Sequence, residues 1–127
     1  MKQVISTEQA PKAIGTYSQA IKVGQTVYFS GQIPLVPETM EIVKGDFTAH
    51  VKQVFENLSA VAKAAGGSLA HIVKINIYLL EMSHFPQVNE VMATYFQEPY
   101  PARAVVAVKQ LPKDVPIEIE AVMVVSE

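Results

Sequence analysis

The last strand-like run of the chain, Ile117-Glu118-Ile119-Glu120-Ala121-Val122-Met123-Val124-Val125, constrains the fold most. Its side chains alternate between two faces with a period of two. Ile117, Ile119, Ala121, Met123 and Val125 form one purely apolar face, suited to packing under helices. The other face carries Glu118 and Glu120 and then continues as Val122 and Val124. A strand that is apolar on one side and mixes acids with valines on the other predicts a sheet covered on both sides, by unlike covers. Arg103, directly behind Pro101-Ala102, opens a second apolar run just upstream. An arginine can grip a carboxylate with two parallel hydrogen bonds, and a glutamate can move protons. The pair predicts a site for a small carboxylic acid.

The remaining elements follow from periodicity. Residues 17–23 and 26–33 read as strands joined near Val23-Gly24-Gln25, and Pro34 and Pro37 end the second. From Thr48, Val51, Val54, Phe55, Leu58, Val61, Ala62 and Ala65 recur at helical spacing until Gly66-Gly67. Ile72 to Leu80 reads as a strand. Ser83 is the expected cap of a second helix, with Pro86 in its first turn and Phe85, Val88, Met92, Tyr95 and Phe96 as its stripe. Strands at 103–109 and 117–125 complete a β-β-α-β-α-β-β order in a single domain over residues 1–127. Two crossovers of the usual hand put both helices on one face of the sheet. The other face, which Arg103, Val105 and Ala107 are expected to share with Glu118 and Val122, would be a large apolar patch on a monomer. A second copy of the chain is its simplest cover.

Composition limits the function. The chain has 127 residues, net charge -2 and no cysteine. The charge gives no footprint for nucleic acid. The absence of cysteine excludes disulfides, zinc-thiolate sites and a thiol nucleophile. No apolar run reaches membrane-span length, and no signal-peptide core follows Met1, so a cytoplasmic protein is expected. His50, His71 and His84 lack ligand spacing and read as solvent-facing, so no metal is implied. No phosphate loop and no nucleophile elbow is present.

Each candidate also has a plainer reading. Arg103 could sit at a strand end in water. Glu118 and Glu120 could be a solvated strand face. The apolar continuation of that face argues that at least one acid is partly desolvated, with its pKa pushed up unless Arg103 offsets it. Ser30-Gly31 could be an ordinary turn, although glycine there lets a ligand approach the backbone. Tyr17, Tyr28 and Tyr78 fit strand packing, and Asn89 a helix surface.

Five segments together resemble the Rid family of reactive-intermediate deaminases: Ala13-Ile14-Gly15-Thr16-Tyr17-Ser18-Gln19-Ala20, Phe29-Ser30-Gly31-Gln32-Ile33-Pro34, Phe85-x-x-Val88-Asn89, Pro101-Ala102-Arg103, and Leu111-Pro112-Lys113-Asp114 with Ile117-Glu118-Ile119-Glu120-Ala121. The likeness is greatest to its RidA branch, the 2-iminobutanoate/2-iminopropanoate deaminases, and covers essentially the whole chain.

The resemblance implies an α+β fold like that of the bacillus type of chorismate mutase: a mixed sheet, two helices on one face, and a homotrimer joined through the open faces. It also implies that the last strand is central, beside the first core strand and the 72–80 strand. Chain proximity alone would pair it with 103–109 as a hairpin. In the family, the position of Arg103 binds the substrate carboxylate, that of Glu118 works with a water, and those of Tyr17, Ser30, Gly31 and Asn89 line a cleft between subunits. The implied substrates are enamines and imines of 2-oxo acids released by pyridoxal-phosphate dehydratases, hydrolysed to 2-oxo acids and ammonia without a cofactor. No nucleic acid or membrane partner is implied. Three positions depart from the pattern: Val105 replaces a frequent cysteine, Thr16 a frequent proline, and Met92 a frequent aromatic residue. Two rival readings remain: a non-catalytic carboxylate sensor, and a ribonuclease or holdase as in some relatives.

Overall fold

A computed structural model describes residues 1–126. Six strands form one sheet: β1 (Gln3–Ile5), β2 (Ala20–Val23), β3 (Thr26–Gln32), β4 (Ile72–Leu79), β5 (Ala102–Ala107) and β6 (Ile117–Val124). Helix α1 (Phe47–Ala64) lies between β3 and β4 in sequence, and α2 (Phe85–Tyr95) between β4 and β5. The sheet order is β1-β2-β3-β6-β4-β5. β6 runs antiparallel to both β3 and β4, whereas β4 and β5 are parallel. The sheet is therefore mixed, and β6 is central as the resemblance implied. The hairpin that proximity would have formed is absent, because β6 finds two neighbours in β3 and β4, while β5 is left on the edge beside β4.

Helix α1 begins at Asp46, whose side chain accepts from Ala49 N at 3.1 Å. That bond satisfies one of the free amides of the first turn. Its stripe of Val51, Val54, Phe55, Leu58, Val61 and Ala62 is fully buried against Ile75, Ile77, Ile119 and Met123. Fully burying each valine, leucine or phenylalanine of this stripe contributes about 1.5–3 kcal/mol. Phe55 also meets Phe96 edge-on, with centroids 5.6 Å apart, which ties α1 to the end of α2.

Four expectations need correction, and one strand was not foreseen. The strand expected over 17–23 begins only at Ala20; Tyr17 to Gln19 form irregular backbone whose groups bond elsewhere. Ser83 does not cap α2. It lies inside a 3₁₀ turn, Met82–His84, that runs directly into the helix, so His84 takes the boundary position without a side-chain cap. His84 is not solvent-facing either, because its ring is half-buried and stacked on Phe47 at 4.0 Å. The edge strand β1 was not anticipated.

The fourth correction concerns faces. Register pairs Arg103 with Ile75, Val105 with Ile77 and Ala107 with Leu79. Residues opposite one another in a ladder share a face, and Ile75, Ile77 and Leu79 belong to the core under the helices. Arg103, Val105 and Ala107 therefore lie on the helix side, and Ala104 and Val106 on the open side. A one-residue change in register exchanges the two sets, and nothing in the β5 sequence fixes that choice. The open face carries Tyr28, Val106 and Val124, exposed at 53%, 47% and 41%, alongside Val122, Glu118 and Glu120.

Candidate active site

The predicted site residues fall into two groups. The first surrounds Arg103 at the start of β5. Its Nη1 donates to Asn89 Oδ1 at 3.0 Å and to Met92 Sδ at 3.5 Å. Its guanidinium carbon stands 5.0 Å above the centre of the Phe85 ring. Phe85, Asn89 and Met92 are four and three residues apart, so one face of α2 presents a ring, an amide oxygen and a thioether to the arginine. Asn89 thus does more than occupy a helix surface. Among the described residues Nη2 and Nε of Arg103 have no protein partner, which leaves a planar edge for a carboxylate. A cavity of about 400 Å³ opens beside it, lined by Asn89, Met92, Ala93, Tyr100, Pro101 and Arg103.

The second group surrounds Glu118 on the open face. Between Phe29 and Gln32 the β3–β6 register slips, so Ser30 and Gly31 bulge out of the ladder. Bulges re-aim side chains beside functional sites. Here the bulge places Gly31 under the Glu118 carboxyl: a Cβ on residue 31 would stand 2.9 Å from Glu118 Cδ. Only glycine leaves that space free. Ser30 Oγ donates to Ser18 O at 2.5 Å, so its lone pairs remain to accept a hydrogen bond from a ligand. Tyr17 OH accepts from Ile14 N at 3.3 Å. A cavity of about 610 Å³ joins Ile14, Tyr17, Ser30, Gly31, Leu35 and Glu118. Burial, followed by the neighbouring Glu120 carboxylate, pushes the Glu118 pKa above the usual carboxylate range. Glu120 itself accepts from Asn76 Nδ2 at 3.3 Å.

The chain does not bring the two groups together. Arg103 and Glu118 are on opposite faces, two strands apart and three ladder positions out of step. Strand geometry makes that about 14 Å between their Cα atoms. Arg103 therefore does not offset the Glu118 shift within one chain. Sequence reasoning also missed Gln19, Lys12 and Lys113 as parts of the Glu118 cavity. The spacing of Phe85, Asn89 and Met92 was a usable signal for the arginine pocket; a buried amide such as Gln19 gives none. Among the described residues no cluster of His, Asp or Glu could hold a metal ion, and no helix is long and apolar enough to cross a membrane.

The chain is similar to known proteins over nearly its whole length. The family model described as endoribonuclease L-PSP matches residues 7–125. A RutC family protein of Pyrococcus horikoshii is 55% identical over 96% of this chain and 97% of its own. The 2-iminobutanoate/2-iminopropanoate deaminase of Dermatophagoides farinae is 45% identical over 98% and 97%. Among solved structures, RidA of a Psychrobacter species shares 53% identity with a TM-score of 0.94, covering 97% of this chain and 99% of that one. Escherichia coli TdcF with bound serine shares 39% identity with a TM-score of 0.92, covering 98% and 99%. By sequence and by fold together, the chain belongs to the Rid/RutC family.

Proposed function

We propose that the protein hydrolyses reactive imines and enamines of small 2-oxo acids, such as 2-iminobutanoate and 2-iminopropanoate, to the 2-oxo acid and ammonia. The observation that carries this reading is the separation of the two groups. An arginine edge without a partner lies on the helix side at the sheet edge. A half-buried glutamate lies on the open side in a cavity where, among the described residues, no cation stands within ion-pair range of it. Each half supplies what the other lacks. A homotrimer, in which each open face is covered by a neighbouring copy, would set Arg103 of one subunit against Glu118 of the next. Relatives named as such deaminases, and a relative holding the small amino acid serine, support the same substrate class.

The chemistry follows from the residues. Arg103 fixes the substrate carboxylate and hence the imine carbon. Ser30 Oγ, already donating to Ser18 O, accepts the imine N–H. The substrate reacts as its iminium: Glu118 takes a proton from water as the water oxygen bonds to carbon and the C=N π pair moves onto the already protonated nitrogen. The resulting carbinolamine has a hydroxyl and an amine on one carbon. Glu118 returns its proton to that nitrogen, the C–N bond breaks as ammonia leaves, and the hydroxyl closes to the carbonyl as its proton passes to the Glu118 carboxylate. A carboxyl with a raised pKa suits both transfers. A net charge of -2 gives an RNA-cleaving reading no electrostatic support.

Two measurements test the proposal. Coupled to a threonine dehydratase, the protein should accelerate 2-oxobutanoate release beyond free hydrolysis. Arg103→Ala and Glu118→Gln, each inactive alone, should recover roughly one quarter of parental activity when refolded together, the statistical share of intact interfaces in a cyclic oligomer. No recovery in mixed oligomers would reject the shared site. No turnover by the parent, with 2-oxobutanoate still bound, would favour a carboxylate sensor.

A further inference from the structure

We propose that Gln19 is a positioning residue that holds one wall of the Glu118 cavity and so sets affinity for the substrate; the functional part of this rests on the deaminase reading. Gln19 is 4% exposed. Its Oε1 accepts from Thr7 N at 2.7 Å, and its Nε2 is shared among Thr7 O at 3.0 Å, Ala10 O at 3.3 Å and Pro11 O at 2.7 Å. Both amide hydrogens are used, so none remains for a ligand. Residues 11–17 belong to no helix or strand and have no ladder to hold them. Yet Pro11, Lys12, Ile14 and Tyr17 of this stretch line the cavity.

The attachment is built from both ends. Gln19 O accepts from Ser30 N at 3.0 Å, and Ser18 O accepts from Ser30 Oγ. The backbone of Gln19 is therefore fixed to the β3 bulge that carries Gly31, while its side chain fixes the incoming segment. One residue sets the distance between the wall bearing Tyr17 and the floor bearing Gly31 and Glu118. Gly15, at φ +121°, turns the chain between those anchors. Buried amides bonded to backbone are costly to leave unpaired, so losing this one releases the whole segment and not a single contact.

The test uses Gln19→Met, which keeps the volume and removes all four hydrogen bonds. Deuterium exchange should quicken by at least about tenfold over residues 7–17 while amides of α1 and β6 keep parental protection. KM should rise about five- to tenfold with kcat within about twofold, because the wall orders the cavity without touching the reacting atoms. Unchanged exchange over 7–17 overturns the clamp. Released exchange with parental KM, or a fall in kcat alone, overturns its role in affinity. Should Gln19→Met not fold, Gln19→Asn, one methylene short, is read by the same criteria; failure of both would make Gln19 a core residue and overturn the proposal. A parent without turnover that still binds 2-oxobutanoate would reject the deaminase reading alone, and the variant's affinity for 2-oxobutanoate would then decide Gln19. A parent with neither activity overturns both.

Discussion

The arginine pocket and the glutamate cavity are built in different ways. Arg103 is held by regular structure: one face of α2 supplies Phe85, Asn89 and Met92, and β5 is hydrogen-bonded along β4. Glu118 stands on a regular strand, but irregular backbone makes its surroundings. A bulge presents Gly31, a strandless segment presents Tyr17, and Lys113 enters from a turn with φ +56°. The first half is a rigid clamp for charge. The second is a shaped, partly dry space for proton transfer. The difference implies that removing the guanidinium of the first is lost grip, whereas removing the carboxyl of the second is lost chemistry with the grip intact.

The largest expected effect is at the clamp. Arg103→Ala should lower kcat/KM by about 2–5 kcal/mol in transition-state terms, roughly thirty- to several-thousand-fold. Arg103 is exposed in the single chain, so the fold should survive. Arg103→Lys should also be poor, since an ammonium cannot present the planar fork or keep both Asn89 and a substrate in register. Steady-state kinetics on the three proteins decide this, and full kcat/KM in the lysine variant would remove Arg103 as the anchor.

At the cavity, Glu118→Gln should lose about 10²- to 10⁴-fold in kcat while 2-oxobutanoate affinity changes little, because the clamp remains. Glu120→Gln should do less harm. It also removes a neighbouring negative charge, so the acid limb of kcat/KM should move to lower pH. Calorimetric titration beside pH–rate profiles separates the two carboxylates. Unchanged turnover in Glu118→Gln would withdraw the acid–base role and break the contrast between grip and chemistry.

The smallest effect sharpens the comparison by asking whether the halves meet. The native pKa of Glu118 is raised. Below the ordinary carboxylate pKa, about 4.3, the group is protonated in both states and carries no penalty. As pH rises through the raised native value, the unfolded chain releases its proton first, so stability falls and remains lower above it. Glu118→Gln should therefore raise Tm at neutral pH, with the gain vanishing near pH 3. If a neighbour's Arg103 faces Glu118, the gain should be larger in an Arg103→Ala background. The coupling expected is about 0.5–1 kcal/mol, at the low end for a pair in contact because Glu118 is only half-buried. Strict additivity in this double-mutant cycle would mean the halves stay apart.

Much of the fold was legible before any coordinates. The α1 stripe, the Gly66-Gly67 stop and the alternation in β6 are local signals, because burial repeats with the period of the element that makes it. The face of β6 carrying Ile117, Ile119, Ala121 and Met123 was read correctly for that reason. The face of β5 was not. Ala102 to Ala107 are small or apolar at nearly every position, so either register satisfies the sequence. Only the parallel ladder to β4 put Arg103 beside Ile75 and under α2.

The sequence by itself determined both helices, the strands other than β1, the candidate charges and, through its motifs, the family. Tertiary structure decided how those charges are distributed. It separated Arg103 from Glu118 across the sheet, set Gly31 beneath the carboxyl, and gave Gln19 a segment to hold. The physical reason is that side-chain period is a local property of the chain, whereas register, bulges and buried amide contacts are settled by residues distant in sequence that compete for the same neighbours.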